Sequence, residues 1–341
     1  MGGRVILDVA GYTLTDEEVS LLESPAVAGV IFFKRNFESV IQIQKLVTDI
    51  RAVRSDLILS VDQEGGRVQR FTAGMTRLPP VGVLRETYAQ FPEQALAEAD
   101  QMGWLMAAEI LALGIDLSYA PVLDVDYGHN EVIGDRAFGV RAEDVTALAK
   151  AYIRGMHRAG MAVVGKHFPG HGYVDLDSHE ALPHDHRPLT AIEADMQPFA
   201  ALLPDLEAIM SAHVVYDQLD SQAATFSNYW LGQQLRGRMG YWGLIMSDAL
   251  DMQGACAHGS PSERGIKAIK AGCDLLLYCN DPAGARALVS GIIDAGIDLN
   301  VDTALLRRAD APRWAAFENS EARQSALDVL KLYLKDMTDN P

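Results

Sequence analysis

Residues 165–179, Gly165-Lys166-His167-Phe168-Pro169-Gly170-His171-Gly172-Tyr173-Val174-Asp175-Leu176-Asp177-Ser178-His179, bring a lysine, three histidines and two aspartates together. These side chains are costly to bury without partners, so the stretch reads as a site and not as core. His179 follows Asp177 with only Ser178 between them, and in an extended or turning loop such side chains can face the same way. A carboxylate on one ring nitrogen fixes the tautomer and raises imidazole basicity, leaving the other nitrogen to give and take a proton near neutral pH. The bland alternative is a solvated histidine in a polar loop. A second candidate is Asp248, which closes the apolar run Gly243–Met246. A carboxylate at a strand end can attack an electrophilic carbon such as the anomeric centre of a sugar. It can equally cap the next helix. Asp251 competes for the same role one turn further on.

Other chemistries fit less well. His167, His171, His179 and His213 could supply zinc ligands. Against that, Lys166 adjoins His167 and would repel a cation, and the first strand ends Leu7-Asp8-Val9-Ala10 without histidine. No metal and no cofactor are expected. The chain has no G-x-x-x-x-G-K-[ST], no G-x-G-x-x-G opening a helix and no G-x-S-x-G. Its net charge of −17 repels phosphate backbones, so a nucleic-acid partner is not expected. Cys256, Cys273 and Cys279 form no C-x-x-C pair and read as reduced thiols. The start shows no signal-peptide pattern, and no apolar run approaches ~18 residues, so no membrane is involved. A cytoplasmic monomer acting on a small molecule is the expectation.

Something must position these residues. Apolar, β-branched runs recur at Val5–Val9, Val27–Phe33, Leu57–Val61, Ile115–Asp124, Met161–Val164, Ala208–Val215, Gly243–Met246 and Asp274–Tyr278. Runs of this kind suit strands buried on both faces of a parallel sheet. Between them lie helical patterns at Asp16–Glu23, Val40–Arg54, Glu93–Leu113, Glu143–Ala159, Ala191–Leu203, Asn228–Met239, Ser262–Ala271 and Pro282–Ala295. The helix after Met161–Val164 is expected to start at Thr190, where Thr190-x-x-Glu193 has the capping-box form. That leaves a loop longer than the roughly 12–15 residues usual for plain connections. Eightfold alternation predicts an α/β fold, a single (β/α)8 TIM-type barrel, with a doubly wound open sheet as runner-up. Polar residues cluster at the strand ends: Asp8, Lys34-Arg35-Asn36, Asp62-Gln63-Glu64, Asp124 and Asp126, Lys166-His167, His213, Ser247-Asp248 and Asn280. That is the face where such barrels build their sites. The whole chain, 1–341, reads as one catalytic domain. Residues of about 301–341 pack on the barrel as helices, with Ser320 capping Glu321–Lys335.

Lys166-His167-Phe168-Pro169-Gly170-His171-Gly172, with Asp177-Ser178-His179 and Leu182-Pro183, resembles the signature of family 3 glycoside hydrolases. Further similarity lies in Ala28–Phe33, Val61-Asp62-Gln63-Glu64-Gly65-Gly66-Arg67-Val68, Gly134-Asp135-Arg136-Ala137-Phe138-Gly139 and Ser247-Asp248-Ala249-Leu250-Asp251-Met252. More narrowly, it resembles the bacterial β-N-acetylglucosaminidases (β-hexosaminidases) of the NagZ type, which serve peptidoglycan recycling. The resemblance implies a retaining exo-glycosidase with Asp248 as nucleophile and His179 as acid/base, oriented by Asp177. It further implies that Asp62, Arg70, Arg136, Lys166 and His167 hold the sugar. The implied substrate is a glycan, terminal β-GlcNAc on 1,6-anhydro-MurNAc peptides. Such anionic fragments meet an acidic protein, so local cations, Arg70, Arg136 and Lys166, are expected to receive them. The rival readings are a phosphorylase on the same fold and a non-catalytic sugar-binding barrel.

Overall fold

The computed structural model describes residues 2–174, 182–307 and 313–339, with side chains as far as residue 335. Eight parallel strands alternate with helices: β1 (Val5–Asp8), β2 (Val27–Phe32), β3 (Ile58–Val61), β4 (Leu117–Ser118), β5 (Val164–Phe168), β6 (Ala208–Ser211), β7 (Leu244–Ala249) and β8 (Leu275–Tyr278). The helices that follow them are α1 (Asp16–Leu22), α2 (Val40–Val53), α3 (Pro92–Ala112), α4 (Ala142–Ala159), α5 (Leu189–Leu202), α6 (Tyr229–Arg238), α7 (Pro261–Ala271) and α8 (Pro282–Asp294), of which α6 is wound as a π-helix. The strands hydrogen-bond in the order β4-β3-β2-β1-β8-β7-β6-β5. The outer pair, β4 and β5, meet through Val164 N–H to Ala120 O (2.9 Å), Lys166 N–H to Pro121 O (3.1 Å) and Leu123 N–H to Lys166 O (2.7 Å). This closes the sheet as the (β/α)8 barrel that the alternation predicts.

Burial explains why these stretches become strands. All six residues of β2, Val-Ala-Gly-Val-Ile-Phe, are buried, as are all four of β3 and of β8. Helix ends carry their own signals. Thr15 and Glu18 form a reciprocal capping box on α1, Ser260 and Glu263 do so on α7, and Asp281 caps α8. Helices α3 and α4 approach closely because Gly103 and Gly155 face each other's backbones. A Cβ on Gly155 would lie 2.0 Å from Asp100 O, and one on Gly103 2.2 Å from Tyr152 O. A final helix, α9 (Glu321–Asp339), lies against α3. Ser320 caps it through Arg323 N–H (3.2 Å), and Tyr333 donates to Glu98 (2.6 Å).

Four local expectations fail for physical reasons. The fifth strand is not Met161–Val164 but Val164–Phe168, taking in Lys166 and His167, whose polar groups find partners inside the barrel. Ile115–Asp124 is not one continuous strand: only Leu117–Ser118 is regular, and Pro121, which has no N–H to donate, interrupts the rest. The run Ala208–Val215 breaks after Ser211, and Val215–Tyr216 pairs instead with His184–Asp185. The capping box at Thr190 does not form. Helix α5 begins at Leu189 behind Pro188, with no side-chain cap, and Glu193 reaches Arg238 (2.5 Å).

Candidate active site

The C-terminal ends of the strands surround a cleft of about 730 Å³. At its base lies a network of paired charges. Lys166, its side chain 4% exposed, sits 3.0 Å from Asp62 and 2.7 Å from Glu64. Arg136 meets both Glu64 oxygens at 2.8 Å, a two-pronged pair, and donates to Val132 O at 2.9 Å. Arg70 reaches Asp62 at 3.4 Å. Burial alone would raise the Glu64 carboxyl, but the Arg136 and Lys166 cations outweigh it and hold it well below the carboxylate range. Burial likewise opposes the Lys166 charge, and Asp62 and Glu64 keep its pKa above the ordinary lysine value. Three cations against two carboxylates leave one formal positive charge, fixed before any ligand arrives.

His167 stands beside this network. Its Nδ1 lies 2.7 Å from the buried Asp124 carboxylate. A carboxylate that stays ionised accepts there, so Nδ1 carries the hydrogen and Nε2 is left for the cleft. Burial would raise the Asp124 carboxyl, but His167 keeps it below its ordinary value. Asp124 also accepts the backbone N–H of His171 (2.8 Å). His171 itself is buried, and that burial, with His167 nearby, lowers its pKa to about 4. It therefore folds neutral, whereas in the unfolded chain it binds a proton below about pH 6.5. A lowered histidine pKa contributes stability present above about 6.5 and lost as pH falls toward 4. On the order of 3 kcal/mol from this group is at stake. Unfolding midpoints measured from pH 7 to 4.5 are expected to fall steadily, and His171→Asn is expected to flatten that slope.

Asp248 stands in the same cleft, near the end of β7. The pairing of β7 with β8 jumps from Met246↔Leu275 to Ala249↔Leu277, three residues against two. Such a bulge bends the strand and re-aims a side chain. One Asp248 oxygen accepts Ala249 N–H at 2.7 Å. Asp251 also lines the cleft, but it accepts Cys279 N–H (2.9 Å) and lies 3.3 Å from Asn280 Nδ2, tying β7 to β8. Those bonds make Asp251 part of the join between β7 and β8.

Asp177 and His179, with Asp175, lie outside the described residues. The chain on either side of them is anchored. Arg187 stacks its guanidinium on Tyr173 (3.9 Å) and pairs with Asp185 (2.7 Å) and Asp195. Tyr127 donates to Asp195 at 2.5 Å. The structure thus brings Asp62, Arg70, Arg136, Lys166, His167 and Asp248 to one cleft. It adds Glu64 to the cleft and, buried behind His167, Asp124; the signal for both is their place among the acids that close the strand runs, Asp62-Gln63-Glu64 and Ile115–Asp124. Among the described residues, no three His, Cys, Asp or Glu side chains are grouped to hold a metal ion. No described helix is long and apolar enough to cross a membrane.

Comparison with known proteins points one way. Residues 5–308 match the model of the glycosyl hydrolase family 3 N-terminal domain. A β-hexosaminidase of Idiomarina loihiensis is 50% identical over 294 residues, covering 86% of this chain and 88% of the relative. One from Actinobacillus pleuropneumoniae serotype 5b is 46% identical over 338 residues, 97% of each chain. Among solved structures, native NagZ from Neisseria gonorrhoeae superposes with a TM-score of 0.88 at 40% identity, covering 96% of each chain. The same enzyme in complex with N-trifluoroacetyl-D-glucosamine gives 0.87 at 39% identity, covering 96% of this chain and 97% of that one.

Proposed function

The chain belongs to glycosyl hydrolase family 3, and from that premise we propose that it is a retaining exo-β-N-acetylglucosaminidase, a β-hexosaminidase. Its substrate would be terminal β-GlcNAc on 1,6-anhydro-MurNAc peptides, released during cell-wall recycling in the cytoplasm. The observation that carries the reading is one cleft holding both an aimed carboxylate, Asp248, and a pre-paired polar floor of Asp62, Glu64, Arg136, Lys166 and His167. The ligand named for the gonococcal relative, an N-acylated glucosamine, is of the same chemical kind. The whole chain is taken as a single catalytic domain acting as a monomer.

In this mechanism the Asp248 carboxylate attacks the anomeric carbon as the bond to the leaving oxygen breaks. His179, held by Asp177, gives that oxygen its proton. In the second step His179 takes a proton from water, which attacks the same carbon and frees Asp248. The usual pair of carboxylates in glycosidases is replaced by one carboxylate and one imidazole. The floor supplies orientation. Its lysine and arginine already have anionic partners, so they are fixed in place and meet hydroxyl and acetamido oxygens without reorganising. Lys166 and Arg136 are matched by Asp62 and Glu64, so a peptide carboxylate would more readily be met by Arg70, which is one-third exposed.

The test is a substrate panel. An aryl β-GlcNAc should turn over at least about 100-fold faster, in kcat/KM, than the matching β-glucoside, since a site built to bond a substrate group rejects the analogue lacking it. The β-GalNAc glycoside probes the 4-hydroxyl in the same assay. Added phosphate should change neither the rate nor the product. A sugar 1-phosphate would instead mean phosphorolysis, and no turnover of any glycoside would leave a binding protein.

A further inference from the structure

Asp248 sits where the ordinary strand pairing gives out. On one side, β7 pairs with β6 from Leu244↔Ala208 to Ser247↔Ser211, and that ladder goes no further. On the other, the register with β8 shifts across residues 247 and 248. A strand end left so would be free to turn, and with it the carboxylate. Two groups hold it. Leu250 N–H donates to Leu277 O of β8 at 2.8 Å. The carbonyl of the same peptide unit, Ala249 O, lies 3.0 Å from Nε2 of His213. A carbonyl only accepts, so Nε2 carries the hydrogen. His213 lies two residues beyond the end of β6, and its side chain continues the β6–β7 ladder where the backbone stops.

The imidazole is itself held. It is fully buried and stacks on Phe226 at 5.8 Å with the rings 10° apart, and Phe226 stacks in turn on His258 at 3.9 Å. His213 is not among the described residues that line the cleft, and its bond to Ala249 O ties it to the β7 backbone beside Asp248. We propose that His213 is a positioning residue for the Asp248 nucleophile: by pinning the Ala249–Leu250 peptide between β6 and β8, it fixes the bulge that aims the carboxylate. This rests on the reading of Asp248 as the nucleophile. The peptide is bridged from both neighbouring strands, and Ala249 N–H holds one carboxylate oxygen. The other is thereby directed by backbone that cannot swing.

The experiment compares three variants on an aryl β-GlcNAc. His213→Phe keeps a ring against Phe226 and removes the donor. His213→Gln keeps a donor at similar reach without the ring. Asp248→Asn serves as control. His213→Phe is expected to lower kcat about 100-fold, the scale of a small misplacement of a reacting group. Its KM and product inhibition by GlcNAc should stay within about threefold, because the sugar floor is untouched. His213→Gln should recover at least about tenfold of the loss. In an Asp248→Gly background, azide can replace the carboxylate as a nucleophile that needs no aiming. There His213→Phe should change the azide-supported rate less than about twofold. An unchanged kcat in His213→Phe beside an inactive Asp248→Asn overturns the positioning role alone. An active Asp248→Asn overturns the nucleophile assignment. Equal losses of kcat and of GlcNAc affinity, or of the azide-supported rate, would mean that His213 only supports the fold.

Discussion

Asp248→Asn is expected to lower turnover of an aryl β-GlcNAc on the order of 10⁴-fold or more, the scale at which removing a covalent nucleophile acts. The amide is nearly the same shape. Its oxygen can still accept Ala249 N–H, so the bulge and the fold should persist and the unfolding midpoint should move little. What is lost is the negative charge and the lone pair that form the bond to the anomeric carbon. A second observation separates loss of a nucleophile from loss of a binding group. In Asp248→Gly, azide should restore turnover and yield the α-glycosyl azide, because one displacement inverts a β-linked centre. A β-azide, or rescue by no small anion, would count against a covalent Asp248 intermediate.

Glu64→Gln is expected to have the largest effect on stability. Glu64 is buried and balances two buried cations, with Arg136 on both oxygens and Lys166 at 2.7 Å. Removing one member of a buried pair leaves the others without compensation and costs roughly 3–5 kcal/mol. Lys166 keeps Asp62, so the unbalanced charge falls mainly on Arg136. Urea midpoints should drop accordingly. Adding Arg136→Met should restore part of the loss, because the two changes share one partner. The double variant should still bind GlcNAc poorly, since both floor residues are gone. A single variant as stable as the parent would show that water reaches the network and screens it.

Much of the barrel was readable because both-face burial forces uninterrupted apolar runs, as in Val27–Phe32. The errors fall where the site intrudes on the barrel. Met161–Val164 looked like a whole strand because Lys166 and His167 are unfit for a core. They enter it only because Asp62, Glu64 and Asp124, distant in sequence, neutralise them. Pairing of that kind is invisible to a local pattern. Glu64 went without a role for the same reason: its partners lie 72 and 102 residues away, by subtraction of the residue numbers. As a lone histidine in sequence His213 suggests a zinc ligand, because its contact with Ala249 depends on where the β6–β7 ladder stops. Thr190 and Glu193 had the right spacing for a cap, but Pro188 starts the helix one residue earlier and Arg238 draws Glu193 away.

The junction between β4 and β5 has a thermodynamic side. It is the least regular join in the barrel, made by three backbone bonds around Pro121 and fastened by the Asp124 carboxylate on His167 and His171. Lys166 and His167 belong to one edge of that junction, and Asp62 and Arg136 approach from the other. A sugar gripped by all four would bridge the two edges. Occupancy of the cleft and opening of the barrel are then linked equilibria, and a ligand at 100 times its Kd adds about 2.7 kcal/mol against parting them. Tight ligands would act on this protein as inhibitors and as clasps.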